Sequence, residues 1–237
     1  MLRRGRLRFA PRPMATFAAI IGALLFAALG NWQLGRAAEK RALAADFARQ
    51  DAALDVRAVA DDGPRYRRVF AHGQYDPGRQ FLLDNRVHAG RAGVHVLTPM
   101  RLADGSTVLV NRGWQPFGAT RAHLPEVAVS DEPRTIHGRL DRLPSPPIRL
   151  DDVPATGWPR LMQYPDVDKL ESALGRELRD GMILLEPGEP DGFVREWTVP
   201  GTGPDRNLGY AVQWFAFGAL AIAIWLVLSF HRDGETR

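Results

Sequence analysis

Tyr210–Phe230 reads YAVQWFAFGALAIAIWLVLSF, an unbroken run without a charged residue. A helix needs about 20 consecutive apolar residues to cross a hydrocarbon core about 30 Å thick. This run meets that length, and Gln213 is its only strongly polar side chain. It follows Arg206-Asn207-Leu208-Gly209 and ends at His231-Arg232, so polar sequence brackets it on both sides. A second span of the same kind, Met14–Leu34, lies near the N-terminus within the uncharged stretch Pro13–Gly35. A cleaved signal peptide would have an apolar core of about 7–15 residues ending in small residues. Met14–Leu34 is longer, and Asn31-Trp32-Gln33 stands where a cleavage site would fall.

Two spans near the ends divide the chain. Residues 1–13 form a basic arm, 14–34 and 207–230 the spans, 35–206 an intervening domain and 231–237 a tail. Arg3, Arg4, Arg6, Arg8 and Arg12 crowd the arm and account for the net charge of +4 better than a nucleic-acid patch does. Arginine beside a span stays on the cytoplasmic side. The expected topology is therefore a multi-pass protein of the bacterial inner membrane with both termini cytoplasmic and 35–206 periplasmic. Its expected partners include membrane lipid but no nucleic acid. Cysteine is absent, which excludes disulfides, thiolate metal sites and thiol nucleophiles.

Between the spans the periodicity changes. Arg36–Gln50 is rich in Ala, Leu, Glu, Lys and Arg, good helix formers that prolong the first span as a stalk. Arg65–Tyr75, Arg79–Arg86, Val94–Pro99 and Arg134–Arg142 read as strands, the third closed by Pro99. Asp104-Gly105 marks a hairpin turn into Thr107–Asn111. Leu143–Pro159 carries five prolines and reads as a loop. Val167, Leu170 and Leu174 share one face of a short helix ended by Gly175, and Gly181–Pro187 forms a last apolar strand. The expected fold class is α+β: two transmembrane helices bracketing a β-rich, mainly antiparallel extracytoplasmic domain with one or two short helices. Closure of the strands into a barrel is compatible with this pattern.

Catalytic signatures are absent from the sequence. It has no Gly-x-Ser-x-Gly, no Ser-x-x-Lys and no Walker loop. His72, His88 and His95 could meet across strands, but a metal wants three or four ligands with a supporting shell, and ordinary strand polarity explains them better. No metal and no catalysis are expected. A membrane-tethered hydrolase, or an accessory or signalling domain, is the alternative reading.

Three stretches carry a resemblance. Gly30-Asn31-Trp32-Gln33-Leu34-Gly35-Arg36 ends the first span; Asp84-Asn85-Arg86 precedes Gly90, Gly93, Thr98-Pro99 and Val108-Leu109-Val110-Asn111-Arg112-Gly113-Trp114; Leu208-Gly209-Tyr210 and Gln213-Trp214 open the second span. Together, with two spans around an outer domain, they resemble the surfeit locus protein 1 family. That resemblance implies an assembly factor for a haem–copper terminal oxidase of cytochrome c oxidase type. It would act in haem a delivery to, or insertion into, the catalytic subunit, with haem a synthase as a second partner. It also implies a transient haem a site whose ligand histidine falls at Asn207, where an amide is a poor axial ligand. The alternative for Asn207 is a helix cap.

The residues expected to contact cofactor or partner are Trp32, Arg36, Arg112, Trp114, Asn207, Tyr210 and Trp214. The tryptophans would pack on a macrocycle, and the arginine forks would hold its carboxylates; an interfacial aromatic belt and a solvated rim are the competing explanations. Gly22, Gly30, Gly209 and Gly218 would let helices approach closely, whether the two spans of this chain or a partner's. Gln33 and Gln213, polar groups near lipid, would pair between helices.

Overall fold

The computed structural model describes residues 7–60, 63–118, 123–144, 157–197 and 206–232. Arg3, Arg4, Arg6, Asp151-Asp152 and most of the proline-rich loop lie outside them. The chain forms two units, Ala45–Thr198 and the pair of terminal segments Met1–Ala44 with Val199–Arg237.

In the terminal unit, helix α1 runs Pro13–Ala48 and helix α3 runs Arg206–Ser229. Both are long and apolar enough to cross a membrane, and little of either apolar stretch is buried. Exposed Phe17, Leu24, Leu25, Val212, Leu220 and Val227 leave their outer surfaces apolar. The helix-forming composition of Arg36–Ala48 carries α1 on without a break. The helices pack antiparallel along small or polar positions, with Gly30, Gln33 and Ala37 buried on α1 and Ala211, Gly218 and Ser229 on α3. A Cβ on Gly30 would sit 2.7 Å from the Phe215 ring, and one on Gly218 would lie 3.5 Å from Phe26. Gly22 and Gly209 have no such neighbour within 4 Å. Beyond the spans, strand β1 (Leu7–Phe9) pairs antiparallel with strand β10 (Phe230–Arg232), a ribbon that the sequence reading did not foresee. Trp225 donates to Thr16 at 3.0 Å beneath it, and Phe9 packs edge-on against Trp225.

The other unit is a sheet of eight strands: β2 (Leu54–Asp55), β3 (Arg68–Tyr75), β4 (Phe81–His88), β5 (Arg91–Leu102), β6 (Thr107–Pro116), β7 (Arg134–Asp141), β8 (Arg160–Met162) and β9 (Met182–Leu185). Its order is β2-β3-β7-β9-β6-β5-β4-β8, and an extra β3–β5 pairing joins the five central strands into a closed ring. The ring is filled by Val69, Ala71, Met100, Val110, Ile136 and Ile183, alternate residues of their strands. Most joins are antiparallel, as expected, but the sheet is mixed, with parallel β2–β3, β4–β8 and β6–β9 joins. The last two come from β8 and β9, which follow long connections and so need not reverse direction.

Pro99 does not close its strand. Along one edge β5 pairs with β4 as far as Leu97 and with β3 from Met100 onward. Pro99 sits in the gap between these partners, where its missing N–H breaks no ladder bond. Its carbonyl still accepts from Asp76 N at 2.8 Å. The Asp104-Gly105 hairpin and helix α2 (Val167–Leu174) form as the sequence suggests. Asp166 caps α2 by accepting from Lys169 N, and Gly175 ends it in the left-handed region.

Candidate functional site

The seven expected residues fall into two groups, one in each unit. In the helix pair, Asn207 is part-buried within the first turn of α3 and does not cap it. Its Nδ2 donates to Gln33 Oε1 at 2.6 Å, and its Oδ1 accepts from Lys40 Nζ at 2.6 Å. Gln33, Ala37 and Lys40 recur at helical spacing on α1, so the three polar groups line one contact stripe. The expected cross-helix pairing of Gln33 is present, with Asn207 as partner. Gln213 points to the exposed side of α3.

Around this clamp the other residues differ in exposure. Trp214 is half-buried, stacked on Phe26 and edge-on to Phe217 at ring separations of 5.9 Å. Trp32 and Tyr210 remain 58% and 52% exposed. Arg36 is exposed and, among the described residues, bonded only to Glu39, one turn along its own helix, at 2.6 Å. Such an exposed pair is worth little and leaves the guanidinium available.

Arg112 and Trp114 sit inside the barrel unit. Arg112 is 1% exposed. Its Nε donates to Asp191 O at 2.7 Å, its Nη1 to Val127 O at 2.9 Å and Gln80 Oε1 at 3.1 Å, and its Nη2 to Ala128 O at 3.1 Å. Gln80 is held in turn by Thr98 Oγ1, which donates to it at 2.9 Å. The guanidinium plane lies over Phe193 at 4.8 Å and near Tyr75 at 5.9 Å. Burial pulls Arg112 below its ordinary value, opposed by Tyr75 and Asp191. Burial pushes the Tyr75 phenol up to about 12. Arg112 thus closes one end of the barrel interior, and its forks are spent on the protein's own carbonyls.

Trp114 is 6% exposed and donates to Arg86 O at 3.1 Å. Its ring occupies the space where Gly93 would otherwise carry a side chain, 2.6 Å from an ideal Cβ. Asn111 accepts from Gly113 N at 3.1 Å, and its amide meets His95 Nδ1 at 3.2 Å. Burial, then Arg86, lowers His95 to about 4, so its imidazole is neutral near pH 7. The three strand histidines are not gathered. His72 meets Thr135, His88 lies 3.9 Å from Glu196, and His95 meets Asn111. Among the described residues no group of three His, Asp or Glu could hold a metal.

Sequence reasoning passed over Gln80 and Lys40, and it named Thr98 only within a motif. Lys40 was findable, because it lies seven positions after Gln33 and four after Arg36 on a helix already inferred. Gln80 carried no local signal.

Two candidate membrane helices, tied to each other by a polar clamp at one end and a strand ribbon at the other, bracket a mixed-sheet β-domain in the chain. The SURF1 family profile matches residues 20–219, which takes in most of α1, the first part of α3 and the whole intervening domain. The chain belongs to the SURF1 family, which is generally linked to cytochrome oxidase assembly. It is 27% identical to a SURF1-like protein of Monosiga brevicollis over 88% of this chain and 84% of that one. It is 29% identical to an uncharacterised SURF1-like protein of Mycobacterium bovis, covering 91% and 83%. A SURF1-like protein of Rickettsia bellii is 24% identical, with 88% of each chain covered.

Proposed function

We propose that this protein is an assembly factor for a haem–copper terminal oxidase, without catalysis of its own, anchored in the bacterial inner membrane with both termini cytoplasmic. The observation that carries the reading is the family match across most of α1, the first part of α3 and the domain between them. The catalytic subunit is the partner, with haem a synthase as a second. Docking uses the outer surfaces of the helix pair and the exposed side chains Trp32, Arg36 and Tyr210. Asn207 and Trp214 hold the helices in register, and Arg112 and Trp114 hold the barrel.

The rim of the helix pair does not fit an axial iron ligand. Both polar atoms of Asn207 are engaged by Gln33 and Lys40, and neither helix contains a histidine. Imidazole, thiolate and thioether are the side chains proteins use on haem iron. Help with haem a insertion is therefore assigned to positioning the oxidase subunit, with no iron coordination by the helix pair.

A deletion strain tests the reading. Oxidase activity and the haem a absorbance of its membranes should both fall, and the wild-type gene should restore them. Normal haem a and intact oxidase in the deletion strain would overturn the assignment in favour of an accessory or signalling role.

A further inference from the structure

Helix α3 carries two stripes, and the chain itself uses one. Ala211, Gly218 and Ser229 are buried on the side that meets α1, with Trp214 and Trp225 half-buried beside them. Gln213 stands two residues after Ala211, about 200° round the helix and so on the opposite side. Gly209, Ala216, Leu220, Ala223 and Val227 share that side, and all six residues are exposed. Their spacing alternates between four and three. Gly209, Ala216 and Ala223 thus fall at one position of a heptad, and Gln213, Leu220 and Val227 at another. A sustained heptad is the pattern of a helix packed along a seam on another helix, and small residues let the two backbones approach. A Cβ on Gly209 would meet nothing within 4 Å, so this seam is open.

Small residues alone name no partner; Gln213 does. Its side chain bonds to nothing among the described residues. It lies seven residues beyond Arg206, about 10 Å along the axis at about 1.5 Å per residue, where α3 is otherwise apolar. A bare amide in hydrocarbon is costly, and a hydrogen bond to a second helix relieves it. On the inner side Asn207 and Gln33 relieve each other in this way. On the outer side the chain supplies no counterpart.

From this arrangement we infer that the outer stripe of α3 is a homodimer interface, covered by α3 of a second copy of this chain, with the two Gln213 amides bonded to each other. Two copies in one bilayer share their orientation, so a two-fold axis along the bilayer normal sets Gln213 against Gln213 at one depth. The amide carries donor and acceptor alike, so the pair bonds reciprocally. The same axis sets Gly209, Ala216 and Ala223 against their own equivalents, as in a parallel heptad seam. Trp32 and Arg36 lie on α1, and the dimer leaves them to a partner. The inference rests on the reading of α3 as a membrane span and is independent of the oxidase assignment.

The chain has no cysteine, so single-cysteine variants report cleanly on the interface. The full chain is reconstituted in liposomes of phosphatidylcholine and phosphatidylglycerol and oxidised with copper–phenanthroline. Ala216→Cys should give a disulfide-linked dimer, and Ile222→Cys, off the stripe, should not. One membrane hydrogen bond at the upper end of its measured strength shifts an equilibrium about tenfold. Adding Gln213→Leu to Ala216→Cys should therefore raise the protein-to-lipid ratio needed for cross-linking by about that factor, and Gln213→Asn, which keeps the amide, should cost less. Leucine suits a lipid-facing position, so the variant keeps its fold. No Ala216→Cys dimer, equal cross-linking at Ile222→Cys, or an unchanged ratio with Gln213→Leu would overturn the inference. So would an Ala216→Cys adduct formed in native membranes only with a different protein, which would give the stripe to another helix. Labelling of Ala216→Cys in intact liposomes by a membrane-impermeant maleimide would overturn the span reading and the dimer together. A cysteine shielded from the maleimide yet never cross-linked would overturn the dimer alone.

Discussion

The two units hold their polar residues in different ways. In the barrel, Arg112 is sealed from solvent and satisfied by Gln80 and by the backbone carbonyls of Val127, Ala128 and Asp191. In the helix pair, Gln33, Lys40 and Asn207 are joined to one another, while Trp32, Arg36 and Tyr210 beside them remain exposed. Residues of one motif set therefore have different work. Those inside the barrel are consumed by folding. Those on the helix pair divide into a clamp and a free surface, and only the free surface can meet a partner without first giving something up.

Stability measurements can break this contrast. The largest effect is expected for Arg112→Met, which strands three carbonyls and Gln80 in the interior. Removing one member of a buried charged network costs about 3–5 kcal/mol. Denaturant unfolding followed by tryptophan fluorescence measures it, and a loss under about 0.5 kcal/mol, the size of an ordinary surface change, would deny Arg112 its role.

The next effect is a pH dependence. His95 titrates near 6.5 when unfolded and near 4 in the fold, so the unfolded chain binds more protons between these values. Stability should fall as pH drops from 6.5 toward 4, and change no further from this group below that. The ceiling is about 3 kcal/mol, at about 1.4 kcal/mol for each pH unit of difference. His95→Gln keeps an acceptor for Asn111 and should flatten this part of the profile.

On the helix side, Gly30→Val drives a side chain into the Phe215 ring. Overpacking of this kind costs about 1–3 kcal/mol, read as a lower melting temperature of the helix signal. Asn207→Ala should cost less, about 1 kcal/mol, because hydrogen bonds between membrane helices are individually weak. Smallest of all is Arg36→Gln, within about 0.5 kcal/mol as for other exposed positions. That variant should nevertheless lower oxidase maturation in a complementation assay. Loss of stability without loss of maturation would place Arg36 with the clamp instead of the docking surface.

Much of this architecture was legible because its signals are local. The span lengths, the Asp104-Gly105 turn, and the Asp166 and Gly175 caps depend on residues adjacent in sequence, and each element formed where expected. The parallel joins of β8 and β9 and the passage of β5 through Pro99 depend on which distant strand lies alongside. No local periodicity encodes that. The same holds for the site. Motif spacing identified Arg112 and Asn207 as unusual, but their bonding to Val127, Asp191, Gln33 and Lys40 arises only when segments far apart in the chain meet.

The β1–β10 ribbon imposes an order on biosynthesis. Leu7–Phe9 is made before both helices and its partner Phe230–Arg232 after them, so the leading strand carries an open edge until the second helix is complete. The chain can knot its two ends together only once the second helix has emerged. A product cut short before Phe230 would keep both helices yet lack the latch, leaving a bare strand at its start.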